Sequence, residues 1–268
     1  MTGPAKAFPV GGNVAGVYTI TERLGGERWR GRYRARDRAG ASFLVTTGGT
    51  QKRPLDPLKQ ELALPVSGVA RLRHIAPLAG DRNAHNIHAM VEDEPAGLPT
   101  SALPAPLGPE PARLLALEVC QVLSGLHRSG VVLAGLAPEL VYADDAGGRW
   151  QLTGLAPRAN LFLRTATVPN FGLPPLFPAP FLAPEAALPA APTPAADVFA
   201  VGLLLATWLT GQHAFEGEDF QTLVAAINFG RRRALSLPAP LDRLVNQALE
   251  RSPERRIPFP ELVRALGG

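Results

Sequence analysis

Gly130-Val131-Val132-Leu133-Ala134-Gly135-Leu136-Ala137-Pro138-Glu139-Leu140 is the stretch on which the reading of this 268-residue chain turns. It follows a segment with apolar residues at helical spacing, Pro111 to His127, opened by Glu110 and Pro111 in what suits a first turn. It precedes two short strand patterns, Val141-Tyr142-Ala143 and Trp150-Gln151-Leu152, set around the turn residues Asp144 to Gly148. A helix, a loop and a β-hairpin are expected in that order. No side chain from Gly130 to Pro138 carries a charge.

Upstream, Tyr18 to Leu24, Arg32 to Asp37 and Ala41 to Thr46 read as three antiparallel strands, the first two joined by a Gly-Gly-Glu-Arg-Trp-Arg-Gly tip. Pro57 to Leu64 is a short helix candidate closed by Pro65. Strand patterns around His74 to Leu78 and Ile87 to Val91 complete an expected five-stranded sheet. Residues 1–17 are small and Gly/Pro-rich, which suits a loose leader, and the prolines and glycines between Glu92 and Gly108 mark a linker. Downstream, Gly154 to Pro194 is proline-rich with little periodicity and is expected as a long loop. Asp197 to Leu209 is apolar nearly all round and predicts a central helix. Phe220 to Ile227, Leu241 to Leu249 and Pro260 to Leu266 predict three more helices.

Composition narrows the function classes. A hydrophobic content of 46% is ample for a buried core, while no apolar run approaches the ~18 residues of a membrane span, and a cytoplasmic location is expected. The only cysteine, Cys120, excludes an intramolecular disulfide and falls on the apolar pattern of its helix, where it reads as a small buried hydrophobe. His85 and His88 lack nearby carboxylates or thiols, so no metal site is expected. Of the 27 basic residues all but Lys6, Lys52 and Lys59 are arginine, which reads as compositional bias. The net charge of +4 leaves weak attraction to phosphate-rich surfaces open.

Strands first, then a linker, then helices with one hairpin, is the order of a two-lobed α+β protein. The chain resembles a bacterial serine/threonine protein kinase domain from about Tyr18 to Leu266. Tyr18 to Gly25 and Tyr33 to Asp37 look like the segments bracketing the family's phosphate-covering loop, Val132 to Glu139 its catalytic loop, and Leu152 to Ala156 its metal-binding motif. Ala183-Pro184-Glu185 is the family's Ala-Pro-Glu intact, and Asp197 to Gly202, with Leu209-Thr210-Gly211 and Phe215, resembles its central helix and exit. Pro253-Glu254-Arg255-Arg256 resembles the late arginine motif, whose arginine, here Arg256, typically pairs with the carboxylate of Glu185. The resemblance implies a leader at 1–17, an N-lobe at 18–94 with a five-stranded sheet and one short helix, a hinge at 95–108, and a mainly helical C-lobe at 109–268.

Set against the family's functional positions, the chain departs from the pattern. In the glycine-rich loop Gly25 survives, but Glu27 and Arg30 take the other two sites, and Gly31 is displaced by one residue. The strand lysine falls on Thr46; Lys52 lies six residues on, and Glu61 matches the glutamate that would pair with the lysine. Gly135 replaces the proton-accepting aspartate, Ala137 a phosphate-contacting lysine and Leu140 the metal-binding asparagine. Asp-Phe-Gly appears as Gly154-Leu155-Ala156. Leu44, Arg32 and Tyr142 stand where the family has a small roof alanine, a roof valine and a floor leucine, and would occupy purine volume. Asp197, which in the family bonds the catalytic-loop backbone, is retained.

The implied function is that of a pseudokinase, a catalytically silent scaffold or allosteric partner of another protein, an active kinase among the candidates. No cofactor, metal or nucleotide is expected to bind. The rival is a serine/threonine kinase or ATP-binding protein with displaced groups, drawing on Lys52, Glu139 or Asp144. A third class, a basic module for nucleic acid or anionic surfaces, would use the arginines alternating from Arg28 to Arg38 or the run Arg231 to Arg233. Neither patch has the interleaved aromatics of a single-strand binder, so a solvated face is the preferred reading.

Overall fold

The computed structural model describes residues 9–27, 30–50, 67–77, 86–133, 135–144, 149–152, 181–187, 193–218 and 220–267. They fall into two compact units, one running to Pro95 without residues 66–68, the other comprising residues 66–68 and those from Ala96 onward, apart from 153–171.

The first unit is built on an antiparallel sheet of β1 (Asn13–Val14), β2 (Tyr18–Glu27), β3 (Arg30–Arg36), β4 (Ser42–Thr50), β5 (Leu72–Pro77) and β6 (Asn86–Asp93), in the order β1-β2-β3-β4-β6-β5. The sheet has six strands rather than the expected five. The extra strand lies in the segment expected as a leader, because Val14 is fully buried and joins the core with Tyr18 and Ile20. Alternation along the strands places Tyr33, Ala35, Phe43, Val45, Ala89 and Val91 in one cluster, with the rings of Tyr18 and Phe43 edge to face at 4.9 Å. Strands β2 and β3 extend into the tip that the sequence reads as a turn, pairing Gly25 with Arg32 and Glu27 with Arg30. The helix expected at 57–64, with Glu61, and Lys52 lie outside the described residues.

The second unit is mainly helical. Its helices are α1 (Pro109–Arg128), α2 (Pro194–Thr210), α3 (Phe220–Phe229), α4 (Leu241–Ala248) and α5 (Phe259–Gly267). Beside them β7 (Leu98–Pro99), β8 (Val141–Asp144) and β9 (Arg149–Leu152) form a small antiparallel sheet. Helix α2 is the centre, with thirteen residues buried, and packs against α1 and α4 while α1 also packs against α5. Each fully buried leucine of its Leu203-Leu204-Leu205 run contributes about 1.5–3 kcal/mol of apolar burial. The helix opens on Pro194 at its first position and closes on Gly211, whose left-handed φ of 69° lets its N–H reach the carbonyl of Thr207 at 2.8 Å. Among the described residues no helix is long and apolar enough to cross a membrane.

Candidate functional site

The loop from Gly130 to Leu140 runs from the end of α1 into β8. Helix α1 ends at Arg128, and the backbone turns through Gly130, with the N–H of Val131 bonded to the carbonyl of Leu126 at 2.9 Å. From there Val131, Leu133, Leu136, Ala137 and Leu140 are all at most 5% exposed. A short 3-10 turn, Pro138–Leu140, carries the chain into β8. Its Pro138 carbonyl accepts the buried hydroxyl of Thr100 at 2.9 Å, so the segment after β7 pins the loop from the other side.

Asp197 anchors the loop's start. Its carboxylate is fully buried on the first turn of α2, a costly arrangement unless its oxygens are hydrogen-bonded. Oδ2 accepts from Nε2 of His127 at 2.7 Å and from the backbone N–H of Leu133 at 3.2 Å. Its charge adds to the effect of burial on Cys120, whose thiol is pushed far above its ordinary range and is held as an inert core group.

Gly135 sits opposite Leu182 in an isolated antiparallel bridge, and a Cβ placed on it would come within 3.1 Å of Leu182 Cδ2. Position 135 is thus a buried backbone position abutted by a leucine. Ala137 and Leu140, at 1% and 2% exposure, offer no charge to a phosphate or a metal ion. Glu139 is exposed beside them. Tyr142 is buried in β8, paired with Pro99 and Gln151. Gly154 lies outside the described residues, as do Leu155 and Ala156. Asp144 closes β8 against Arg149.

Below the loop, Glu185 and Arg256 form a buried ion pair. The Arg256 side chain is fully buried and Glu185 is 15% exposed. Both Nη atoms of Arg256 donate to the carboxylate, Nη2 reaching Oε2 at 2.7 Å. The remaining donors go to backbone carbonyls: Nε to Glu250 at 2.8 Å, Nη1 to Ala195 at 2.8 Å and Nη2 to Arg251 at 3.0 Å. The guanidinium also stacks over the ring of Phe199 at 4.8 Å. All five N–H groups are satisfied, and the arginine ties α2 to the turn before α5.

In the first unit, Thr46 and Leu44 lie on β4 at 5% and 0% exposure, Thr46 facing Arg32 and Met90 across the sheet. Gly25 on β2 is open, with nothing within 4 Å of an added Cβ. Glu27 and Arg30 are paired backbone to backbone where β2 meets β3. Gly31 serves a packing purpose: a Cβ there would lie 2.3 Å from the Tyr33 hydroxyl and within 2.5 Å of its ring, and its N–H donates to Oγ1 of Thr47 at 2.8 Å.

Two contacts that hold the loop have no signal in the sequence. His127 reads there only as the end of a helix, and Thr100 only as part of a linker; each reaches its partner across 70 and 38 residues respectively. Among the described residues no group of three or more His, Cys, Asp or Glu side chains could hold a metal ion.

No family model matches the chain. It is 29% identical over 277 residues to the serine/threonine-protein kinase PkaA of Streptomyces coelicolor, covering 94% of this chain and 50% of PkaA. It is 31% identical over 150 residues to the serine/threonine-protein kinase PknK of Mycobacterium tuberculosis, covering 53% of this chain and 13% of PknK. With the serine/threonine-protein kinase PknL of the same organism it shares 30% identity over 158 residues, 56% of this chain and 38% of PknL. The chain therefore spans half the length of PkaA and a smaller share of the other two.

Proposed function

We propose that this chain, a homologue of bacterial serine/threonine protein kinases, is a kinase-like domain that keeps the family's folding contacts without its phosphoryl-transfer chemistry. It acts as a scaffold or allosteric regulator through protein contacts, with an active kinase as one candidate partner. The supporting observation is the loop from Val131 to Leu140. Its backbone is tethered through Leu133 to the buried Asp197, while Gly135, Ala137 and Leu140 stand buried and uncharged where the resemblance implies a base, a lysine and a metal ligand.

Phosphoryl transfer depends on positioning and on neutralising charge along the reaction path. Thr46 brings no charge at the position of the strand lysine, and no side chain from Gly130 to Pro138 is a carboxylate that could accept a proton from a substrate hydroxyl. A polypeptide that retains a buried Asp197 and a five-bonded Arg256 spends its polar groups on rigidity instead. Nucleotide is not expected to bind.

Titration with a fluorescent ATP analogue in magnesium, together with radiolabelled autophosphorylation, tests the proposal. No saturable magnesium-dependent signal is expected up to ~1 mM nucleotide, a limit that corresponds to about 4 kcal/mol of binding. Magnesium-dependent turnover that disappears on Thr46→Ala or Glu139→Ala would overturn it and favour displaced catalytic groups.

A further inference from the structure

Helices α4 and α5, with the turn between them, enclose an open groove of about 660 Å³ on the second unit. Its walls carry Arg243 from α4, Arg255 from the turn and Arg264 from α5, all three exposed. Among the described residues none of the three guanidiniums has a hydrogen bond or ion pair. Arg256 also borders the groove, but its guanidinium is committed to Glu185 and three carbonyls. Glu261 is the single carboxylate among the lining residues, which leaves an excess of two positive charges. Leu244, Ile257 and Pro258 supply apolar surface between the arginines.

Three unpaired guanidiniums around one concavity repel each other, and the single carboxylate of Glu261 offsets only part of that repulsion. Such a wall is complementary to an anionic ligand. The groove is far larger than a lone phosphate and falls within the roughly 300–1,000 Å³ of binding clefts. Arginine forks suit carboxylates, which they can bind bidentately. The apolar surface suits a hydrophobic side chain between two such carboxylates. No aromatic residue lines the groove, so it lacks the stacking platform that a nucleic-acid strand would use.

We infer that the groove between α4 and α5 is a docking site for an acidic peptide segment of a protein partner, in which an apolar residue enters between Leu244 and Ile257 while flanking carboxylates meet Arg243, Arg255 and Arg264. The inference goes beyond the proposed loss of phosphoryl transfer and stands whether or not the chain turns over ATP, because none of these residues belongs to the loop at Gly135.

Fluorescence polarisation on the full chain tests it, with a fluorescein-labelled peptide of sequence Glu-Asp-Leu-Phe-Asp-Glu and its neutral counterpart Gln-Asn-Leu-Phe-Asn-Gln. The acidic peptide is expected to bind at low salt and the neutral one to fail. Arg243→Glu combined with Arg264→Glu weakens binding about tenfold or more, with an unchanged circular dichroism spectrum. If that double variant does not fold, Arg255→Gln with methyl NMR of Leu244 and Ile257 replaces it; peptide-dependent methyl shifts in the wild-type chain that shrink in the variant support the site, and their absence overturns it. No binding of the acidic peptide up to ~1 mM overturns the inference. So does equal binding of both peptides, undiminished binding by the folded double variant, or preferential binding of a labelled oligothymidylate.

Discussion

Removing the carboxylate of Glu185 should unfold the second unit at markedly lower denaturant. In Glu185→Ala the Arg256 guanidinium stays buried, keeps its bonds to the carbonyls of Ala195, Glu250 and Arg251, and loses two donated bonds and its counter-charge. Breaking one side of a buried ion pair costs about 3–5 kcal/mol. Because Glu185 is 15% exposed, water can enter the vacated space, and the lower end, about 3 kcal/mol, is expected. With a urea dependence of ~2 kcal/mol per molar, the midpoint falls by about 1.5 M. Trp208, buried in α2, reports the transition by fluorescence once Trp29 and Trp150 are replaced by Phe. Arg256→Lys tests the geometry apart from the charge. An ammonium cannot make the two-pronged contact or serve all three carbonyls, so it should lose nearly as much as Glu185→Ala. A loss below about 0.5 kcal/mol for Glu185→Ala, the level of an exposed pair, would refute the reasoning. So would a wild-type midpoint for Arg256→Lys.

Asp197→Ala leaves the Leu133 N–H and His127 without their shared acceptor and should cost about 2–4 kcal/mol, with the Leu133 amide losing protection in hydrogen exchange; unchanged protection would count against the tether. Gly202→Ala gains about 1 kcal/mol of helix propensity but sets a Cβ 2.8 Å from that of Ala248, a contact neither residue can rotate away from. Overpacking of about 1–3 kcal/mol should win, so a raised urea midpoint would contradict it. Cys120 should resist a thiol reagent in the folded chain at pH 8 and react fully in denaturant, which thiol absorbance measures. Since the folded thiol titrates higher than the unfolded one, Cys120 contributes its full stability below the ordinary thiol value of 9.0. That contribution declines as pH rises beyond it, and Cys120→Ala should remove the dependence.

The helices were legible from local patterns, a helical period in α1 and a continuous apolar run in α2. Leu115, Val119, Cys120, Leu123 and Leu126 are the buried side of α1, and the unbroken apolar run of α2 needs burial all round. The hairpin of β8 and β9 was legible from its turn residues, and the strands of the larger sheet from alternation. Val14 was not, since a two-residue strand has no period to show. Gly31 was read by its offset from a loop pattern, whereas Tyr33 on the same strand explains it through contact. Ala137 and Leu140 could be matched by position alone, but their burial depends on how the second unit packs around the loop between α1 and β8.

By itself the sequence determined which side chains are present: no charge from Gly130 to Pro138, threonine at position 46, an intact Ala-Pro-Glu, a helical period along α1 and an unbroken apolar run along α2. The tertiary structure alone decided what those residues touch. Asp197 is shared by His127 and Leu133, Gly135 is abutted by Leu182, and Arg243, Arg255 and Arg264 meet around one groove. The physical reason is range. Helical and strand periods follow from backbone geometry over a few residues, whereas these contacts form only after packing has brought together residues far apart in the chain.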